Sequence, residues 1–304
     1  MNTIGRLYRF TDFGESHGSA VGGVIDGCPS GVTIDFVSIS NDLSRRAGRD
    51  IPFASARAQA EPDEIEWLSG LSDGVTLGTP IAFIIRNKDT RAEDYEALRD
   101  SYRFAHADMT YQVKYGIRDW RGGGRASARE TVARVVAGVI AKQILLARGI
   151  TIHAAVTQVG EETEENKIDA LLRRVSQTGD SVGGIVECVV QHLPIGVGEP
   201  IFDKLPARLA YAVMSVNACK GFDYGTGFEG VGKLGSEANS ISGGTLGGIS
   251  DGKDLHFRAV FKPTPTIRRE AGGRHDVCVA LRAPVIVEAM AAMTVLDMLL
   301  EARL

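Results

Sequence analysis

Two long segments limit what this chain can fold into. Residues 127–148 and 284–303 both carry helical periodicity, and both are apolar on nearly every side. In the first, Val132, Val135, Val136, Val139, Ile140, Ile144, Leu145 and Leu146 leave no broad polar face, and Gly149 follows as a natural stop. The second opens on Pro284, the permitted place for proline, and holds Glu288 and Asp297 within its apolar run. A helix apolar around most of its girth belongs in an interior. These two acids inside the apolar run 283–300 favour a core helix over a membrane span. Around them lie short strand-like runs at 6–10, 32–36, 64–68, 80–85, 150–159, 183–192 and 256–262. Helices at 41–47 (capped by Ser40), 166–177 and 206–214 are more polar or shorter. Two interior helices among many strands need apolar cover on both faces, which predicts helices sandwiched between sheets. No repeat and no linker composition appears, so 1–304 reads as a single domain.

The first of these helices is entered through Arg-Gly-Gly-Gly-Arg-Ala-Ser-Ala-Arg-Glu-Thr at 121–131. A glycine-rich turn before a helix N-terminus leaves backbone N–H donors for an anion. Arg121, Arg125 and Arg129 add cationic forks that suit phosphate or carboxylate. Ser127 with Glu130 three residues on predicts a capping box. A capped helix after a flexible turn with solvated arginines explains the same residues. The segment matches neither a dinucleotide fingerprint nor a P-loop.

Two histidines sit in loops suited to proton transfer. His17 lies beside Ser16 within the glycine-rich stretch 13–27. His106 lies two residues before Asp108, which either orients the ring or caps a turn. A surface-loop histidine is the plainer alternative for His17. Arg45, Arg46 and Arg49 close the helix 41–47, either complementing its dipole or forming an anion clamp. The formal net charge of −4 argues against a generic nucleic-acid binder, so RNA binding by 121–125 is the weaker alternative. Cys28, Cys188, Cys219 and Cys278 form no C-x-x-C pair and lie mostly in apolar surroundings, as reduced cytoplasmic thiols would. No signal peptide and no metal-ligand spacing is recognised, so no metal is expected.

Separated blocks then fit one family in order. Gly14-Glu15-Ser16-His17-Gly18, His106-Ala107-Asp108 with Lys114-Tyr115-Gly116, the segment 121–131, Leu246-Gly247-Gly248-Ile249, Lys262-Pro263-Thr264-Pro265-Thr266, and Arg274-His275-Asp276 with Arg282 resemble chorismate synthases. The resemblance implies an α+β fold, a β-α-β sandwich with buried central helices between antiparallel sheets. It also implies the FMN-dependent anti-1,4-elimination of phosphate from 5-enolpyruvylshikimate 3-phosphate, giving chorismate, by a cytoplasmic homotetramer without nucleic-acid or membrane partners. By position, His17 serves the departing phosphate, His106 lies by the reduced flavin, and Ser16 and Asp276 assist proton handling. Flavin contacts carried over are Arg125, Ala126, Ser127, Asn217, Ala218, Gly247, Lys262, Pro263, Thr264, Pro265, Thr266 and Arg274. Arg46 and Arg49 match arginines at the site entrance that meet substrate or NADPH, the latter as a reductant of the flavin; Arg57 competes with Arg49 for its place. Short loops at 237–243 and 267–273 and a short C-terminal tail leave open a flavin- or phosphate-binding relative without full lyase activity.

Overall fold

The computed structural model describes residues 1–54, 59, 61–88, 95–96, 99–103, 106–238, 241–265 and 276–303. One antiparallel sheet joins β1 (Thr3–Ile4), β2 (Arg9–Phe13), β3 (Ala20–Asp26), β4 (Ile65–Ser69) and β7 (Ile81–Arg86) in the order β1-β2-β3-β7-β4. A second joins β8 (Thr151–Val159), β9 (Gly184–Gln191), β10 (Cys219–Tyr224) and β13 (Leu255–Phe261) in the order β10-β13-β9-β8. Two small hairpins complete the strands, β5 (Leu71–Ser72) with β6 (Val75–Thr76) and β11 (Thr245–Leu246) with β12 (Ile249–Ser250). Among the described residues the α-helices are α1 (Phe36–Ala47), α2 (Asp108–Tyr115), α3 (Thr131–Leu146), α4 (Glu165–Thr178), α5 (Leu205–Met214) and α6 (Pro284–Glu301), with a one-turn helix at Gly235–Ala238 and short 3-10 turns between elements.

The two apolar helices lie where their composition requires. α3 packs on β2 and β3 of one sheet, and α6 packs on β8 and β9 of the other. They cross each other at Gly138, where a Cβ would fall 2.2 Å from the Cβ of Ala289. Strand side chains alternate as a half-buried pleat demands: Ile81, Phe83 and Ile85 of β7, and Leu255, Phe257, Ala259 and Phe261 of β13, all point inward. This α+β architecture puts the entry to α3 beside the β2–β3 loop, and that juxtaposition builds the site. The two buried acids of α6 are matched inside the core. Glu288 accepts from Arg45, from Lys142 and from the backbone N–H of Ala154. Asp297 accepts from the backbone N–H groups of Arg6, Leu7 and Tyr8 and from Arg208. Among the described residues no helix is long and apolar enough to cross a membrane.

Several local expectations need correction. The strand expected at 6–10 begins at Arg9, because residues 6–8 turn to wrap Asp297. The supposed loop 13–27 contains β3: Gly22 and Gly23 serve there because their missing side chains admit the rings of Phe13 and Phe10. The stretch 32–36 is not a strand. Asp35 caps α1 five residues earlier than Ser40 would, accepting from the N–H groups of Val37 and Ser38. Ser127 caps a short 3-10 turn (Ala128–Glu130) by accepting from Arg129 N–H, and Glu130 turns away to Arg134 at 2.8 Å, so no capping box forms.

Candidate active site

The β2–β3 loop and the entry to α3 touch directly. Ser16 N–H donates to the Gly124 carbonyl at 3.3 Å. Gly122, at φ +65°, lies flat against His17: a Cβ there would sit 2.1 Å from Nδ1 and 3.0 Å from Ser16 Oγ. Only a residue without a side chain allows this approach. Ser16 Oγ is 3.1 Å from His17 Nδ1, and the imidazole stands edge-on to Tyr95 with centroids 4.9 Å apart. His17 is only 7% exposed, so it is not a surface-loop residue.

The second histidine joins the same loop through an arginine. His106 Nδ1 lies 2.8 Å from Asp108 Oδ1, and Arg103 grips both oxygens of that carboxylate at 2.9 and 2.8 Å. Arg103 also donates to the Gly122 carbonyl at 2.8 Å, which ties His106, through Asp108 and Arg103, to the glycine that lies against His17. Burial and then Arg103 lower the His106 pKa, outweighing the pull of Asp108. Burial alone would raise Asp108, but its hydrogen bonds from Arg103 hold it below the usual carboxylate range. A neutral His106 beside an ionised Asp108 carries its proton on Nδ1 and presents Nε2 as the acceptor.

Asp276 is reached through a chain of buried charges. Arg282 holds it with two hydrogen bonds and donates to the Arg46 carbonyl at 3.0 Å. Arg46 is 2% exposed and donates to Thr131 Oγ1, Asp63 and the Ala128 carbonyl. It therefore lies inside the protein rather than at an entrance, and burial lowers its pKa to about 10. Asp63 also takes Arg129, whose Nε donates to Asn87; Asn87 in turn donates to the carbonyls of Glu15 and Gly18 on either side of Ser16 and His17. Arg49 is exposed and donates to the carbonyls of Glu61 and Pro62.

The flavin candidates gather on the other side of the glycine turn. Arg125 donates to Asp12 Oδ1 at 3.0 Å and to the Gly14 carbonyl at 2.9 Å. Asn217 Nδ2 donates to the Ala126 carbonyl, and Lys262 N–H to the carbonyl of Ala218, itself at φ +66°. Thr264 Oγ1 donates to the Asp276 carbonyl, so the strip containing Pro263 and Pro265 runs from the Ala126 side to Asp276. Gly247 stands apart, in the β11–β12 turn, where its neighbour Gly248 packs on Lys204 and accepts from Leu205 N–H. Thr266, Arg274 and Arg57 lie outside the described residues.

The linking residues Asp12, Asp63, Asn87, Arg103 and Glu130 were not singled out from sequence as site residues. Their only signal in the sequence is polarity, which does not tell a buried linker from a solvated loop residue. All four cysteines are buried and free, and burial raises Cys28 and Cys278 to about 11, which leaves them unreactive at neutral pH.

A sequence profile described as chorismate synthase matches residues 8–300. A chorismate synthase of Christiangramia forsetii is 45% identical over 349 aligned positions, covering 99% of this chain and 98% of that protein. One from Parabacteroides distasonis is 44% identical, with 99% and 98% covered. A crystal structure of chorismate synthase superimposes with a TM-score of 0.79 at 29% identity, covering 98% of this chain and 93% of that one. Aligning 304 residues over 349 positions leaves at least 45 of them, 349 less 304, without a counterpart here.

Proposed function

The chain belongs to the chorismate synthase family, and we propose that it carries out the FMN-dependent elimination of phosphate from 5-enolpyruvylshikimate 3-phosphate, yielding chorismate. The observation that carries this is the linkage of His17 and His106 to one arginine-flanked glycine turn: His17 lies against Gly122 directly, and His106 is tied to it through Asp108 and Arg103. Such an arrangement offers hydrogen-bond donors for an anion and groups able to give or take a proton within one set of contacts; the departing phosphate needs the donors, and the weakly acidic ring proton needs an acceptor.

The residues fit a flavin mononucleotide. Gly122 and Gly124 have positive φ, and the turn they form suits a phosphate. Asn217 Oδ1 is buried without a donor among the described residues, as an acceptor awaiting a ligand N–H would be. Arg125, Ser127, Lys262 and Thr264 supply the cations and hydroxyls for its phosphate and ring, with Ala126, Ala218, Pro263 and Pro265 as backbone neighbours; Gly247, which stands apart from them, is assigned by position alone. Thr266 and Arg274 are assigned to the same site by position. Bound there, reduced FMN would supply electron density for C–O cleavage and a basic site for the ring proton. His17, oriented by Ser16, donates to the departing phosphate. His106, held by Asp108, offers Nε2 as a fixed acceptor on the flavin side. Asp276, fixed by Arg282, and Ser16 handle the proton lost from the substrate. Arg49 meets the substrate or NADPH.

We assign the protein to the cytoplasm as a homotetramer. The buried free thiols support the first, and the exposed apolar side chains Phe202, Phe228, Val231 and Leu234 support the second; light scattering at assay concentration tests the assembly. The decisive test is an anaerobic assay with purified protein, dithionite-reduced FMN and the phosphate ester. Chorismate and phosphate should appear in equal amounts. Folded protein that binds reduced FMN but releases no phosphate would leave a flavin-binding relative without lyase activity. Replacing dithionite by NADPH in the same assay tells whether the protein reduces its own flavin.

A further inference from the structure

Under Arg125 lies a pair of acids that the reaction does not use. Asp12 on β2 is 6% exposed and Glu130 before α3 is 2% exposed. Each has one oxygen occupied: Asp12 Oδ1 by Arg125 at 3.0 Å, Glu130 Oε2 by Arg134 at 2.8 Å. Asp12 Oδ2 and Glu130 Oε1 are buried with no partner among the described residues, although the two carboxyls are within hydrogen-bonding reach of each other. Arg134 Nε, 3.8 Å from Asp12 Oδ2, is too far to bond it. Two buried carboxylates so placed would repel and leave both atoms unmatched, whereas a single proton between them satisfies both.

We propose that Asp12 and Glu130 share one proton and that Asp12 is a positioning residue for Arg125, keeping the guanidinium on β2 until a ligand phosphate draws it away. This presupposes that the Arg125 turn seats the phosphate of FMN. While the pair holds its proton, Arg125 leaves a weak partner and the surroundings carry one negative charge. Once the proton is lost, Arg125 is held by a full carboxylate and the phosphate meets two negative charges. Charge-assisted hydrogen bonds are about twice as strong as neutral ones, so the ligand then competes at a disadvantage. The groups facing the pair are Arg125 from the glycine turn, Arg134 from α3 and Tyr111 from α2, which senses Glu130 and Arg125. Burial first, then Glu130, raise Asp12 to about 8 against the pull of Arg125, so the change falls at mildly alkaline pH.

The test uses the full chain and two readouts. Infrared difference spectra of the flavin-free protein, taken across about two pH units on either side of the midpoint, follow the C=O stretch of a protonated carboxylic acid. The band should vanish on the alkaline side, be missing in Asp12→Asn, and titrate lower in Glu130→Gln. Flavin fluorescence titration then gives the FMN dissociation constant over the same range. For the wild type it should rise by up to about tenfold per pH unit above the midpoint, and in Asp12→Asn it should stay flat and be tighter at the alkaline end. The second ionisation of the flavin phosphate, near about pH 6, acts on both proteins alike. No titrating band, or a band unchanged in Asp12→Asn, overturns the shared proton. An equal pH slope in both proteins overturns the hold on Arg125. If the band behaves as stated and FMN binds at no pH, the shared proton stands, and both the flavin site and the positioning role fall. Should Asp12→Asn fail to fold, the wild-type band and its shift in Glu130→Gln decide.

Discussion

Gly122 offers the sharpest test of the two-histidine site, because its missing side chain is what lets the α3 entry touch His17. In Gly122→Ala the new methyl would lie 2.1 Å from Nδ1 and 2.3 Å from Cε1 of the imidazole. Ordinary contact begins near 3.4 Å, so the ring or the loop must retreat by more than 1 Å. A displacement of about 1 Å at a reacting group costs on the order of 100-fold in rate. The backbone also contributes, since alanine at φ +65° is disfavoured by about 1–2 kcal/mol. Gly116→Ala separates the two effects: it carries the same left-handed penalty at φ +75°, with nothing within 4 Å of the added carbon. Both variants should lose similar stability in thermal unfolding. In the reduced-FMN assay only Gly122→Ala should lose turnover, by about 100-fold, with FMN binding less affected than kcat. Turnover in Gly122→Ala no lower than in Gly116→Ala would refute the placement of His17 at the reacting centre.

His17→Ala and His106→Ala should each lower kcat by roughly 100- to 10,000-fold while the protein stays folded, as measured by chorismate formation and circular dichroism. Because folded His106 takes up its proton less readily than the ordinary value of 6.5, the unfolded chain binds more protons below that pH. Its contribution to stability is therefore complete above 6.5 and is lost as pH falls towards the folded value; thermal midpoints of His106→Gln should fall less steeply on acidification than those of the wild type. Gly138→Ala places a carbon 2.2 Å from Ala289 Cβ at the α3–α6 crossing and should cost about 1–3 kcal/mol in denaturant unfolding.

The layers were legible because α3 and α6 are apolar on nearly every side, a pattern that belongs in an interior. The strands from 150 to 191 and from 255 to 261 were legible for the same reason, through alternation or continuous apolar runs. β3 was not, because Gly22 and Gly23 read as loop until the rings that fill their space are known. In the site, His17, His106 and Asp276 could be named from motifs. The contacts that join them could not, since Arg103, Asn87 and Asp63 lie in polar stretches where a buried arginine and a solvated one look alike. Local pattern records which groups have the right chemistry, and only the fold decides which of them share a partner.

The arginines themselves show what that difference means for binding an anion. Arg46 and Arg129 are 2% and 6% exposed, and both meet Asp63, while Arg46 also bonds Thr131 and the Ala128 carbonyl. Their charges are committed to joining α1, the entry to α3 and the loop of His17. Removing one partner from such a buried set costs about 3–5 kcal/mol, because the remaining charge is stranded. Arg49 is exposed, its two bonds go to neutral carbonyls, and an anion can displace them at little cost. Arg46→Ala should therefore lower the thermal midpoint markedly, with activity lost through the displaced α3 entry, whereas Arg49→Ala should leave the midpoint in place and raise KM for the phosphate ester or NADPH. An Arg46→Ala protein as stable as the wild type but with a raised KM would mean that Arg46 opens towards a ligand, and the buried network would then be a resting arrangement rather than a frame.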